Sequence, residues 1–205
     1  MRTNLMYDAV KIDGPKKKIL EFNDADKFMD DKELKHFNNL CEALKDKDLY
    51  YKTKVDDYST ALLSKLLTLP VDKVFPCLDL YRIFLTHPDM VLHFKKFEDG
   101  WTHLSAFIRM ITDKEAGDPC KMLSLRCMVN MFKDQSACFI LFDKRDKVIE
   151  AVSPHLSNPK ANIRESAITV FLNYSIYFLM KDASEAKILI LSALGVLGNG
   201  QESNE

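Results

Sequence analysis

Apolar residues recur along the chain at the spacing of amphipathic helices. Within residues 55–70, one helical face carries Tyr58, Leu62, Leu63, Leu66 and Leu67. Pro70 ends this segment, because proline lacks an N–H and restricts the residue before it. Glycine and proline number only 6 and 7, and no Asn-Gly or Asp-Gly pair separates two alternating segments. The pattern predicts about ten short helices and no strands.

Two further helix starts are indicated by capping residues. Asp118 precedes Pro119, so we expect Asp118 as the N-cap and Pro119 at the first helical position, where a missing N–H costs nothing. Asn162 lies three residues before Glu165, which resembles a capping box with Asn in place of Ser or Thr. Both patterns place a helix immediately after a polar turn.

Three segments, residues 75–87, 122–134 and 166–178, share one apolar pattern. Aligning them gives the expected core positions Leu78, Tyr81, Leu85, Leu125, Val129, Phe132, Ile168, Leu172 and Ile176. The same alignment brings Arg82, Asn130 and Asn173 into one register, 48 and 43 residues apart. Intervals of this size suit armadillo or HEAT-like units of about 40–47 residues. The sequence therefore predicts an all-α, armadillo-like helical-repeat solenoid.

The polar residue of each unit is a candidate for peptide binding. The last helix of each stacked unit lines the concave surface, and an Asn side chain there can bond to the main chain of an extended peptide. Arg126 and Lys133 share a helical face with Asn130 and make the expected groove basic, which favours an acidic peptide. The candidate residues are Arg82, Arg126, Asn130, Lys133 and Asn173. An Asn in an apolar helix is also typical of a polar residue satisfied at a helix contact, and this alternative stays open.

Composition and charge add few constraints. Apolar residues make up 47% of the 205 residues and charged residues 29%, as in an ordinary soluble protein. The formal net charge of -1 gives no global attraction to nucleic acid or to an anionic membrane. Five cysteines without a Cys-x-x-Cys spacing favour a reducing compartment, the cytoplasm or the nucleus. No segment predicts a signal peptide or a membrane span.

Catalytic and cofactor motifs are weak. His87, His93 and His103 lack the spacing of a zinc site, so we expect no metal, and the absence of a Gly-rich phosphate loop argues against nucleotide binding. Cys120 or Cys138 with His155 could form a nucleophile and base, but cysteines at apolar helical positions are usually inert. A cysteine-dependent hydrolase is the minor alternative. No cofactor is expected, and the lysines of "GPKKKIL" suit a solvated linker.

The chain resembles a known domain family at these same residues. The stretches "DKVFPCLDLYRIFLTHPDM", "LSLRCMVNMFKDQ" and "NIRESAITVFLNYSIYFL" are similar to the PUL domain, the armadillo-like domain found at the carboxy terminus of phospholipase-activating proteins and in related segregase adaptors. The resemblance runs from about Lys17 to about Gly198. It suggests an amino-terminal tail at residues 1–18, a PUL-like domain at 19–198 and a carboxy-terminal tail at 199–205. A last helical unit of the family is expected to be missing or degenerate.

The resemblance implies a non-enzymatic adaptor. PUL domains bind the acidic, Tyr-containing carboxy-terminal tail of the valosin-containing AAA+ ATPase in a basic groove, and ubiquitin is reached only through other domains. The family's groove residues match Arg82, Arg126, Asn130 and Asn173 here. The alternative is a helical-repeat scaffold that binds another acidic peptide or a partner helix.

Overall fold

A computed structural model describes residues 4–45, 52, 54–89 and 100–179. Within these residues the chain forms helices and no strand. The α-helices are α1 (Asp13–Asp26), α2 (Asp31–Lys45), α3 (Asp57–Leu66), α4 (Phe75–Phe84), α5 (Gly100–Thr112), α6 (Asp118–Met131), α7 (Gln135–Asp143), α8 (Arg145–Val152) and α9 (Ala161–Leu179). A 3₁₀-helix at Ser153–Ser157 follows α8 directly. No described helix is long and apolar enough to cross a membrane.

Helices α4, α6 and α9 form consecutive layers. Helix α6 packs against α4 on one side and α9 on the other. The Asn130 Nδ2 donates to the Arg82 carbonyl of α4 at 2.7 Å, and the Arg126 Nε donates to the Ser166 hydroxyl of α9 at 3.4 Å. The three segments aligned in the sequence are therefore neighbours in space. The expected all-α helical-repeat solenoid is confirmed.

Helix starts follow local hydrogen bonding, and two differ from expectation. The Asp56 carboxylate caps α3 by accepting from the Ser59 N–H at 2.8 Å. Helix α6 has Gly117 at the N-cap, so Asp118 already lies in the first turn, where its charge suits the helix dipole. Helix α9 begins at Ala161, which places Asn162 inside the helix. The capping predictions for Asp118 and Asn162 were each wrong by a residue or two.

The expected core positions hold for α4 and α6 but not for α9. Leu172 is 43% exposed, and Ile168 and Ile176 are only half-buried. The buried face of α9 instead carries Ile163, Ala167, Val170, Phe171, Tyr174 and Phe178. Helix α9 carries apolar residues on most of its sides, so the sequence pattern alone could not identify which side is buried. The Tyr174 hydroxyl fixes that face by donating to the Leu141 carbonyl at 2.7 Å.

Part of the expected amino-terminal tail is helical. Helix α1 already begins at Asp13, and within it Lys16 pairs with Glu42 of α2 at 2.8 Å. The expected solvated linker is therefore wrong, since the lysines lie in a helix. Residues 4–9 precede this helix and contact the layers formed by α4, α6 and α9. Residues 180–205, which include the boundary expected at residue 198, lie outside the described residues.

Candidate peptide-binding site

The polar register predicted from the sequence is a continuous row in space, called here the polar ladder and formed by Arg82, Asn130 and Asn173. Asn130 and Asn173 are 0% exposed and Arg82 is 7% exposed. These side chains carry polar groups that must find partners when buried. Residues 4–9 of the chain, called here the N-terminal segment, contact the ladder and supply partners for all three side chains.

The two asparagines bind the main chain of the N-terminal segment at alternate residues. The Asn173 Oδ1 accepts from the Leu5 N–H at 2.9 Å, and its Nδ2 donates to the Leu5 carbonyl at 2.9 Å. The Asn130 Oδ1 accepts from the Tyr7 N–H at 2.8 Å, and its Nδ2 donates to the Tyr7 carbonyl at 3.0 Å. Each amide thus pairs with both polar groups of one residue, as a neighbouring strand would.

Arg82 continues the row at the next alternate residue. Its Nη1 donates to the Tyr7 carbonyl at 2.9 Å and to the Ala9 carbonyl at 3.1 Å. Its Nε donates to the Asp79 carboxylate at 2.6 Å, which holds the guanidinium in place. Contacts at residues 5, 7 and 9 follow the two-residue period of an extended chain. The groove therefore takes two residues of extended peptide for each helical layer.

Tyr7 is the residue of the segment that the side chains of α6 and α9 recognise. The Arg126 guanidinium carbon lies 4.6 Å from the centre of the Tyr7 ring, within the range of a cation–π contact. The Tyr7 hydroxyl lies 3.4 Å from the Thr169 Oγ1. The hydrogen bond from Arg126 to Ser166 orients the guanidinium over the ring. The groove consequently holds an aromatic residue at the position that Asn130 also binds.

Lys133 places a second cation beside the segment. Its Nζ donates to the Thr86 carbonyl at the end of α4. Partial burial lowers the pKa of Lys133, and the nearby charge of Asp8 opposes that shift. The charge of Asp8, the acidic residue that directly follows Tyr7, therefore acts on this lysine.

The structure brings all five sequence-predicted residues to one surface. The sequence left open whether Asn130 bonds at a helix contact or to an extended main chain. In the structure it bonds to both, the Arg82 carbonyl of α4 and the main chain of Tyr7. Binding of a partner peptide by these five residues stays a prediction, since the segment that they contact belongs to the same chain. Sequence reasoning missed the N-terminal segment and Thr169. The signal available was a tyrosine followed by an aspartate within "NLMYDAV".

The cysteine and histidine side chains proposed for catalysis make structural contacts. The Cys120 thiol donates to the Val71 carbonyl at 3.2 Å, and the His155 Nε2 bonds to the Ile111 carbonyl at 2.9 Å. Burial raises the pKa of the Cys120 thiol and raises that of Cys41 to about 12, which disfavours the nucleophilic thiolate. In the part of the chain that the structure describes, no group of three or more His, Cys, Asp or Glu residues could hold a metal.

The structure is an all-α stack of helical layers with a polar groove that holds an extended segment of the same chain. The PUL domain matches the chain over residues 1–205, and the chain belongs to the PUL domain family. It is 27% identical over 133 residues to the phospholipase A-2-activating protein of Xenopus laevis. That match covers 64% of this chain and 16% of the Xenopus protein, so the chain spans less than a fifth of that relative. The resemblance expected from the sequence is confirmed, and it supports a protein-binding role.

Proposed function

We propose that this chain is a non-enzymatic adaptor domain whose concave groove binds the acidic carboxy-terminal tail of the valosin-containing AAA+ ATPase. It would act in the ubiquitin–proteasome pathway, in the cytoplasm or the nucleus. Ubiquitin itself would be bound only through other domains or chains.

The observation that supports this proposal is the pairing of Asn130 and Asn173 with an extended main chain. Each amide bonds to the N–H and the carbonyl of one peptide residue, at 2.8–3.0 Å. Main-chain recognition of this kind provides affinity that depends little on the peptide's side chains. A flexible tail is a suitable ligand because an extended chain exposes both polar groups of alternate residues.

Charge and ring contacts would supply the specificity. Arg126 lies over the ring of Tyr7, and the charge of Asp8, which follows Tyr7, acts on Lys133. A tail with a tyrosine among acidic residues offers the same two features. The Asp79 carboxylate neutralises part of the charge of Arg82, so Arg126 and Lys133 would contribute most of the attraction for acidic side chains.

The test is fluorescence anisotropy of a labelled peptide that copies the acidic tail, titrated with the wild type and with Arg82→Ala. Arg82 is nearly buried, so its loss should weaken binding by about 1.5–3 kcal/mol, which is about 10- to 150-fold. Lys114→Ala is the matched control, because it removes one positive charge from an exposed position between α5 and α6. Both wild-type and control affinities should fall with added salt.

Two results would count against the proposal. In the first, the folded wild type shows no saturable binding of the tail. In the second, Arg82→Ala and Lys114→Ala weaken binding equally, which would indicate nonspecific charge attraction rather than binding in the groove.

A further inference from the structure

An open cleft with a volume of about 280 Å³ lies between the end of α3 and one face of α5. We propose that this cleft is a second binding site, which takes one acidic residue of a partner peptide and pairs its carboxylate with Arg109. None of the residues that line the cleft belongs to the polar ladder. The inference therefore goes beyond the proposed function and does not depend on it.

The floor of the cleft is held in place by α4. Leu67 and His103 line the cleft and are 4% and 7% exposed. The His103 ring stacks on the ring of Tyr81 with 5.4 Å between their centres, and its Nδ1 lies 2.9 Å from the Tyr81 hydroxyl. Tyr81 itself is 0% exposed. The floor is therefore formed before a ligand enters, which lowers the cost of binding.

The walls of the cleft carry hydroxyl groups whose hydrogens are already used. The hydroxyls of Ser64, Thr68 and Ser105 each donate to a carbonyl of the preceding turn of chain, at 2.8–2.9 Å. A hydroxyl that donates in this way keeps its lone pairs for an incoming donor. The main chain of a peptide supplies such donors in its N–H groups, whereas a bare anion supplies none. The walls consequently favour a peptide residue over a free anion.

Arg109 lines the same cleft and has no partner for its charge. Its side chain makes no hydrogen bond or ion pair with any residue that the structure describes. Asp113, four residues further on, is the usual position for a helical ion pair, but its carboxylate accepts from the Glu115 N–H at 2.8 Å. The other arginines in the described ranges all contact a partner group, and these are Arg82, Arg126, Arg145 and Arg164. The Arg109 guanidinium is thus available to a carboxylate that enters the cleft.

The size of the cleft limits what it can hold. Pockets for drug-sized ligands have volumes of about 300–1,000 Å³, and this cleft lies just below that range. It therefore has room for one side chain with its adjoining peptide groups. Ala106 lines the cleft and is half-buried, so a larger side chain at this position would fill the space.

The cleft and the polar ladder lie on different sides of α4. Tyr81 supports the floor of the cleft, and the next residue, Arg82, belongs to the ladder. Consecutive residues of an α-helix point about 100° apart. A partner in the cleft and a peptide on the ladder can therefore be bound at the same time, as an adaptor requires.

The experiment records ¹H–¹⁵N correlation spectra of the ¹⁵N-labelled full chain during a titration with acetyl-glutamate-amide. Acetyl-glutamine-amide is the matched ligand, because it has the same shape without the negative charge. The glutamate ligand should shift the backbone amides of residues 64–68 and 102–109 along one saturation curve, with an affinity at least 10-fold higher than that of the glutamine ligand. Equal shifts by the two ligands would overturn the inference, and this comparison needs no variant.

Two variants separate the charge from the cleft. Arg109→Gln should remove the preference for the glutamate ligand, whereas Lys114→Gln, which removes an exposed charge outside the cleft, should retain it. Ala106→Leu fills the cleft and leaves Arg109 in place, and it should weaken binding at least 10-fold. Full binding by Ala106→Leu would indicate attraction to an exposed arginine and would overturn the inference. Inorganic phosphate that shifts the same amides, where the glutamate ligand does not, would overturn the choice of an acidic residue.

Arg82→Ala distinguishes this inference from the proposed function. The variant should bind the glutamate ligand as the wild type does, even where it loses the acidic tail of the ATPase. Loss of the glutamate ligand by folded Arg82→Ala would place that ligand on the polar ladder and would overturn the inference. Binding of the glutamate ligand in the cleft without any binding of the tail would overturn the proposed partner and leave the inference standing.

Discussion

Asn130→Ala is the perturbation whose consequence follows most directly from the structure. The substitution removes three hydrogen bonds, two to the main chain of Tyr7 and one to the Arg82 carbonyl. The Tyr7 carbonyl keeps its bond from the Arg82 guanidinium at 2.9 Å, so that loss is partly compensated. The Tyr7 N–H and the Arg82 carbonyl lose the side-chain partner that Asn130 provides. We expect Asn130→Ala to weaken docking of the N-terminal segment and to lower the free energy of unfolding of the domain.

The magnitude follows from the burial of the groups left behind. A hydrogen bond contributes about 0.5–1.5 kcal/mol net, and a buried group that loses its partner costs about 1–3 kcal/mol. Two such groups give a total of about 2–6 kcal/mol, and the compensated bond adds little. The Tyr7 N–H accounts for about 1–3 kcal/mol of this total, so the Tyr7 amide should exchange about 5- to 150-fold faster, since 1.4 kcal/mol is a factor of ten. The Arg82 carbonyl belongs to α4, so part of the loss should also appear in the free energy of unfolding of the domain.

The assay combines amide hydrogen exchange with chemical denaturation. Asn38→Ala is the control, because among the described residues its side chain bonds within its own helix, from Nδ2 to the Leu34 carbonyl of α2 at 2.9 Å. Asn38→Ala should leave exchange of the Leu5 and Tyr7 amides unchanged. Unchanged exchange of the Tyr7 amide in Asn130→Ala would show that the Asn130 carboxamide does not hold the N-terminal segment in place.

Three further predictions concern the helical core. Ser124→Ala should leave the free energy of unfolding unchanged or raise it by up to about 1 kcal/mol in a denaturant titration, because the buried Ser124 hydroxyl has no hydrogen-bond partner among the described residues. Tyr174→Phe should lower the free energy of unfolding by about 1–2 kcal/mol in the same titration, because the hydroxyl that donates to the buried Leu141 carbonyl is lost. Burial lowers the pKa of His155, although the hydrogen bond to the Ile111 carbonyl opposes that shift, so between the folded pKa and about pH 6.5 the folded state binds fewer protons than the unfolded state. The wild type should therefore lose stability as pH falls from 7.5 through 6.5 towards its folded pKa, and His155→Gln should show a weaker fall; a pH dependence identical in both would contradict this assignment.

Periodic features of the sequence predicted the fold and the row of candidate residues. Repeats of similar length place equivalent positions side by side, so Arg82, Asn130 and Asn173 were brought together by their spacing alone. The direct bond between Asn130 and Arg82 follows from that register. Residues placed by a regular repeat can be located without knowing any long-range contact.

Features without a period could not be predicted in this way. The N-terminal segment contacts residues more than 120 positions away, and no local pattern in "NLMYDAV" specifies such partners. The inner face of α9 was misassigned at Leu172, because an apolar residue on nearly every side leaves the face to be chosen by its neighbours. Both errors have one cause: contacts with distant residues determine the position of the N-terminal segment and the buried face of α9, and the local sequence does not specify those contacts.

The side-chain amide signals of Asn130 and Asn173 in a ¹H–¹⁵N correlation spectrum give the most direct test of the central claim, that the polar ladder binds an extended partner peptide. The acidic tail peptide would be titrated into the ¹⁵N-labelled chain, with Asn38 on α2 as the internal reference. The Asn130 and Asn173 signals should shift with one common saturation curve while the Asn38 signal stays in place. Saturable tail binding that leaves both ladder signals unmoved would contradict it.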